Sequence, residues 1–168
     1  MAAATHSLDF EGGLLERGFW LYVWEITDPT EQVVYYVGRT GDSSSENAQS
    51  PFNRMGQHLG FAKASNTLRK KLDGCNLKPE DCSFRLIAHG PVMDEIPEAD
   101  KGTSRGRTEH QRRRDIVAGL EKKLADSMTE AHYCVMNQVD SHKPLDEKLW
   151  LQVKEAFAID FPKLGPLA

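Results

Sequence analysis

Five side chains in this sequence stand where packing alone does not ask for them: Tyr22, Tyr36, Arg54, His58 and Glu121. Arg54 precedes His58 by four residues, a spacing that stacks two side chains on one side of a helix. A guanidinium so placed can fork onto two phosphate oxygens, with the imidazole beside it. Tyr22 and Tyr36 fall in neighbouring segments rich in aromatic and β-branched residues. Antiparallel pairing in register would bring the two phenols to one face, about 5 Å apart. Glu121 lies between Leu120 and Leu124. A single carboxylate projecting into a cleft is a normal ligand for Mg²⁺, which takes its remaining ligands from water and substrate phosphate. Each residue also has a plainer reading: packed strand tyrosines, solvated helix charges, and a boundary glutamate snorkelling out of an apolar stripe.

The elements that must position these residues can be outlined from the same sequence. Phe19 to Ile26 reads as a strand, Asp28-Pro29-Thr30 as a turn capped by Asp28, and Val33 to Gly38 as a second strand, together a hairpin. Gly41 to Pro51 (GDSSSENAQSP) is a polar loop, either mobile or ligand-facing. Ser50-Pro51 is a helix-start signal, and the helix that follows carries Phe52, Met55 and Leu59. Asn66 to Leu72 predicts a second short helix, and Ser83 to Ala88 a third strand that stops at Gly90-Pro91. Asp94 to Arg107 reads as a flexible polar insertion, followed by a long helix from about Thr108 to Met128 with Ile116, Leu120 and Leu124 on its core face. Tyr133 to Asn137 is a short apolar piece, and residues 145–157, with Leu149, Trp150, Val153 and Phe157, predict a terminal amphipathic helix. This order specifies an α+β fold: a small three-stranded antiparallel sheet flanked by helices, with a C-terminal helix. The corresponding division is an N-terminal arm over 1–17, a main domain over 18–140 with an insertion at about 94–107, and a helical tail over 141–168.

A chain of 168 residues can bury a core without disulfides or a structural metal. Its net charge of −4 gives no global attraction to phosphate, so any nucleic-acid affinity must come from local basic patches. The densest patch is RGRTEHQRRR, with Arg105, Arg107, Arg112, Arg113 and Arg114; Lys63, Arg69, Lys70 and Lys71 form a second. Cys75, Cys82 and Cys134 are odd in number and lack a CxxC pair, which points to buried free thiols in a reducing compartment. No apolar run approaches the roughly 18–20 residues that span a bilayer. The segment MAAATHSLDFEGG has neither the basic nor the apolar part of a signal peptide, so the expected location is the cytoplasm, with no membrane partner.

Taken in order, Trp20-Leu21-Tyr22, Tyr36-Val37-Gly38, the Arg54 of Arg54-Met55-Gly56-Gln57-His58, Glu121 and Asn137 resemble the GIY-YIG nuclease superfamily. That superfamily includes homing endonucleases, the excision-repair incision subunit and some restriction enzymes. The resemblance spans about residues 19–138. Two departures stand out: Trp20 occupies the position of the first signature's glycine, and the stretch between Arg54 and Glu121 is lengthened. The longer stretch makes Glu109 a competitor for the metal position, but the separation of Glu121 from Asn137 fits the family pattern better. The resemblance implies an endonuclease that hydrolyses phosphodiesters in nucleic acid, with DNA favoured over RNA. In that scheme Glu121 holds one Mg²⁺ or Mn²⁺ and Arg54 binds the scissile phosphate. Tyr22 acts as general base through a phenolate, Tyr36 positions water or phosphate, and His58 shares the phosphate or relays a proton. Arg39, Asn137, Arg112, Arg113 and Arg114 are the expected nucleic-acid contacts. One site per chain would favour a homodimer for a duplex cut. The alternative is a catalytically silent domain of the same kind that binds nucleic acid or protein, with the acidic balance and the terminal helix as a docking surface.

Overall fold

The computed structural model describes residues 4–165. Its centre is a three-stranded antiparallel sheet of β1 (Phe19–Thr27), β2 (Val33–Arg39) and β3 (Ser83–Met93), in the order β2-β1-β3. The central strand β1 is covered on both faces, and Phe19, Leu21, Val23 and Ile26 are fully buried. Its near-continuous apolar run, rather than an alternating one, is the pattern that two-sided burial demands. The β1–β2 turn follows from its sequence: Asp28 Oδ1 accepts hydrogen bonds from the Thr30 and Gln32 amides, at 2.7 and 3.0 Å.

Two layers of helices cover the sheet. On one face α1 (Pro51–Leu59) and α2 (Thr67–Gly74) bury Leu68 and Leu72, with Met55 and Leu59, against Tyr22, Trp24, Ile26 and Tyr36. On the other face α3 (Ser104–Glu130) and α4 (Glu147–Ala158) pack Val117, Leu120, Leu124, Trp150, Val153 and Phe157 against Phe19, Leu21, Val23 and Val37. A fully buried Leu or Phe contributes about 1.5–3 kcal/mol of hydrophobic stabilisation, so each layer is a substantial part of the core. Residues 141–165 are therefore no appended tail: α4 and the turn after it, with Phe161 and Leu164 buried, close the main core.

Several elements differ from their expected limits. β3 runs on through Gly90-Pro91 to Met93, where Met93 pairs with Phe19 beyond a register shift. α3 begins at Ser104, because the Thr103 hydroxyl caps it by accepting from the Gly106 amide at 3.0 Å. The 94–103 segment is tied down rather than loose: Ile96 is buried, and Lys101 bridges Glu95 and Glu98 at 2.6 and 2.7 Å. The cysteines are not buried thiols: Cys75 and Cys134 are exposed, Cys82 is half-buried, and all three are unpaired. Among the described residues no helix is long and apolar enough to cross a membrane.

Candidate active site

β1 places Tyr22 on the sheet face covered by α1, opposite Gly38 of β2. A Cβ on Gly38 would stand 2.5–2.6 Å from the Tyr22 ring, so the ring lies directly over the strand and only glycine admits it. Tyr36 pairs with Trp24, not with Tyr22. The phenols are thus diagonal neighbours on one face rather than directly opposed, two residues out of the expected register.

Ser50 and Pro51 start α1 as their types require, with the Ser50 hydroxyl accepting from the Asn53 amide at 3.3 Å. In the last turn of α1, His58 is only 2% exposed, and its ring sits edge-on to both Tyr22 and Tyr36, with centroids 5.7 and 5.4 Å away. The Tyr22 hydroxyl and His58 Nε2 are 2.6 Å apart. One turn earlier, Arg54 donates from Nη1 to Gln57 Oε1 at 3.0 Å and from Nη2 to Asp42 Oδ2 at 2.9 Å. Its buried Nε has no partner among the described residues, and neither does His58 Nδ1.

Glu121 comes from α3, on the far side of the sheet. Arg39, at the end of β2, reaches it with an Nε–Oε2 distance of 2.9 Å between side chains 14% and 16% exposed. Arg39, expected as a nucleic-acid contact, is engaged in this ion pair in the structure. Burial pushes the Glu121 carboxyl up to about 7, Arg39 opposes the rise, and the charges of Asp42 and Arg54 also act on it. Glu121 in turn bears on both phenols. Arg54, Asp42, Glu121, Tyr22 and Tyr36 thus lie within one electrostatic neighbourhood at the rim of the sheet.

Protonation states follow from burial and run against two expectations. Burial raises the Tyr22 hydroxyl well above its ordinary value, with the Arg54 charge opposing. Tyr36 is pushed up to about 12 by burial, and Glu121 adds to the rise. The resting site therefore holds neutral phenols and not the phenolate a direct general base requires. His58 is lowered to about 4 by burial and then by Arg54, so it is a neutral imidazole at pH 7 and titrates well below neutrality. Burial also works against the Arg54 charge, but Tyr22 and Asp42 outweigh it and lift the guanidinium above its ordinary value.

Asn137 is placed differently from expectation. Its amide accepts from the Val37 amide at 2.9 Å and donates to the Val37 carbonyl at 2.7 Å, a two-point clasp on the outer edge of β2. Both of these bonds serve the fold. The arginine cluster is likewise partly spent: Arg112 and Arg113 both pair with Glu109 at 2.7 and 2.8 Å, and Arg113 also donates to the Asp94 carbonyl at 2.6 Å. Arg114 offers its carbonyl to Arg39 at 3.4 Å. Glu109, so occupied and held down to about 2 by Arg112 and Arg113, is displaced as the rival metal ligand.

Asp42 is the residue that the sequence reading missed. It sits in the 41–51 loop, which is neither free nor open: His110 Nε2 meets the Ser43 carbonyl at 3.1 Å, Glu46 accepts from the Gly102 amide at 2.8 Å, and Arg17 donates to the Ala48 carbonyl at 3.2 Å. The available signal was Gly41-Asp42 immediately after a strand. Gly41 has φ +70°, and a Cβ there would lie 2.4 Å from the Phe19 ring, so only glycine turns the chain toward Arg54 at this point.

No group of three or more His, Cys, Asp or Glu side chains gathers as a metal cage among the described residues. Glu121 alone fits a weaker demand. Oε2 is held by Arg39, while Oε1 has no hydrogen-bond partner among the described residues and offers one hard anionic donor of the kind Mg²⁺ or Mn²⁺ takes beside water and phosphate. Comparison with protein-family models, with curated proteins and with solved structures returns no match.

Proposed function

We propose that this chain is a metal-dependent endonuclease of the GIY-YIG type, hydrolysing phosphodiesters in nucleic acid, with DNA the favoured substrate. The observation that carries the reading is the packing of Tyr22 and Tyr36 around His58, with Arg54 one turn away on α1 and the charge of Glu121 from α3 acting on both phenols. These are the residues that the resemblance names, and packing alone does not require that combination.

Arg54 binds the phosphate through its guanidinium, and that contact strengthens as charge builds on the phosphorus oxygens. Tyr22 and His58 work as a neutral relay. Tyr22 is buried at rest, so the relay requires substrate to open the site; attacking water then gives its proton to the Tyr22 oxygen, and the Tyr22 proton passes along the 2.6 Å hydrogen bond to His58 Nε2. A bound phosphodiester anion offsets the Arg54 charge that helps hold His58 near 4, so substrate itself makes the imidazole a better acceptor. Tyr36, on the same face, orients water or phosphate. Glu121 would hold a divalent ion, which when bound would supply positive charge for the leaving oxygen.

The test is Mg²⁺-dependent nicking of supercoiled plasmid by the purified chain. Arg54→Ala and Glu121→Ala are each expected to cut the rate by about 100-fold or more, in the range seen when one transition-state contact is lost. Full activity in either variant, or a pure protein that cuts neither DNA nor RNA with Mg²⁺ or Mn²⁺, overturns the reading. The Arg39–Glu121 ion pair favours a second reading, a catalytically silent domain of the same kind in which Glu121 is structural. Nucleic-acid binding without cleavage would select it.

A further inference from the structure

Both guanidinium groups of the site already carry a carboxylate. Arg39 holds Glu121, and Arg54 holds Asp42 at 2.9 Å. The two pairs are not equivalent. In the first, both partners are about equally enclosed; in the second, the Arg54 side chain is 17% exposed and Asp42 is 40% exposed. The carboxylate is the more open partner, so of the two it is the one better able to leave toward solvent. A carboxylate and a phosphate use the same geometry on a guanidinium, two oxygens against the N–H fork. Arg54 also retains a buried Nε without a partner, so Asp42 does not use the whole fork.

We propose that Asp42 is a built-in competitor of the substrate phosphate: it occupies Arg54 in the resting site and must swing away before a phosphodiester can bind. The inference rests on the reading of Arg54 as the phosphate-binding residue. The surrounding structure suits a carboxylate that is presented yet releasable. Gly41, which only glycine can occupy, aims the chain at Arg54, while the loop beyond is pinned through Ser43, Glu46 and Ala48. Release of Arg54 then asks only for a turn of the Asp42 side chain, with the loop contacts kept. At rest the Arg54 charge is already matched by the Asp42 carboxylate. Substrate binding therefore has to displace an internal anion, which favours a polyanion over a lone phosphate.

The experiment measures binding of a fluorescein-labelled DNA duplex in EDTA, so that cleavage plays no part, for wild type, Asp42→Asn, Arg54→Gln and the double variant. Inorganic phosphate is titrated in parallel and read from NMR signals of His58. Asp42→Asn is expected to bind duplex about five- to tenfold more tightly, since a nearby like charge is removed at a partly screened site. Its log–log salt slope should be steeper by up to about one unit, because no displaced Asp42 charge remains in the complex to offset the Arg54 contact. In the Arg54→Gln background the same Asp42 change should lose most of its effect. Melting curves of each variant establish that it is folded, and Asp42→Ser serves as a second neutral replacement.

If Arg54→Gln weakens duplex binding but neither Asp42 variant strengthens it, competition is wrong while Arg54 keeps its role. Weaker binding in both Asp42 variants makes Asp42 a positioning residue and overturns the proposal in the same way. If no form binds duplex but Asp42→Asn takes up inorganic phosphate more tightly than wild type, the competition stands and the nucleic-acid reading falls. No change with either probe sinks both.

Discussion

The Tyr22–His58 hydrogen bond joins two groups that burial keeps neutral, and that has a measurable consequence for stability. His58 is lowered from 6.5 to about 4 in the folded chain. Between those values the unfolded chain binds a proton that the folded chain refuses, so the folded state loses ground as pH falls through that window. Above pH 6.5 both states are neutral and the effect vanishes. Replacing His58 by Gln removes this titration. Wild type is therefore expected to lose about 3 kcal/mol more than His58→Gln as pH drops from 7 to 4, a difference read from denaturant midpoints across pH. Comparing the two slopes, and not the absolute stabilities, separates the imidazole from lost packing and from carboxylates that titrate in both proteins. Parallel slopes would show that His58 is freely protonated in the fold, which would also remove the basis for a Tyr22–His58 relay.

At the scale of elements, β2 is the strand on which the site depends, and its outer edge is not left bare. Residues 133–137 run beside it: the Tyr35 amide donates to the Cys134 carbonyl at 2.9 Å, the Met136 amide to the Tyr35 carbonyl at 2.8 Å, and Asn137 clasps both backbone groups of Val37. Covering an edge strand in this way also blunts it against unwanted pairing. Asn137→Ala is expected to cost about 2–4 kcal/mol in urea denaturation, since two buried hydrogen bonds are lost and the Val37 amide and carbonyl are left unpaired. A variant as stable as wild type but weaker in nucleic-acid binding would restore Asn137 to the ligand side of the site. Gly38 makes a second demand on β2. In Gly38→Ala the new methyl would meet the Tyr22 ring at 2.5–2.6 Å and push the phenol off His58. Nicking activity should then fall by more than the loss of stability explains.

Over the whole molecule, the two helical layers divide the labour. α1 and α2 hold His58 and Arg54 above the phenols, while α3 brings Glu121 round from the opposite face and depends on α4 behind it. Trp150, Val153, Phe157 and Phe161 are all buried in that second layer. A chain ended after residue 141 is expected to show no cooperative thermal unfolding. Trp150→Ala in the full chain should cost about 3–5 kcal/mol, as large buried aromatics do. A shortened chain that melts cooperatively would show α4 to be an accessory. The basic cluster also looks different at this scale. Arg112 and Arg113 are shared out to Glu109, so the local charge they offer a partner is smaller than their number suggests.

Much of this was legible in the sequence because it depends on local chemistry. The β1–β2 hairpin follows from two aromatic and β-branched runs joined through Asp28, and α1 starts where Ser50 and Pro51 say it should. The α+β order, the core stripe of α3 and the set of chemically able residues were likewise readable, since side-chain periodicity reports which face is buried. What tertiary structure alone decided is who pairs with whom. Nothing near Arg39 in sequence announces Glu121, 82 residues on, and nothing near Val37 announces Asn137, 100 residues on. Nor does local sequence report that burial holds Tyr22 and His58 neutral, or that Asp42 rests on Arg54. Desolvation and ion pairing act through space, so the charge state of a group and its partner exist only once distant segments are packed together.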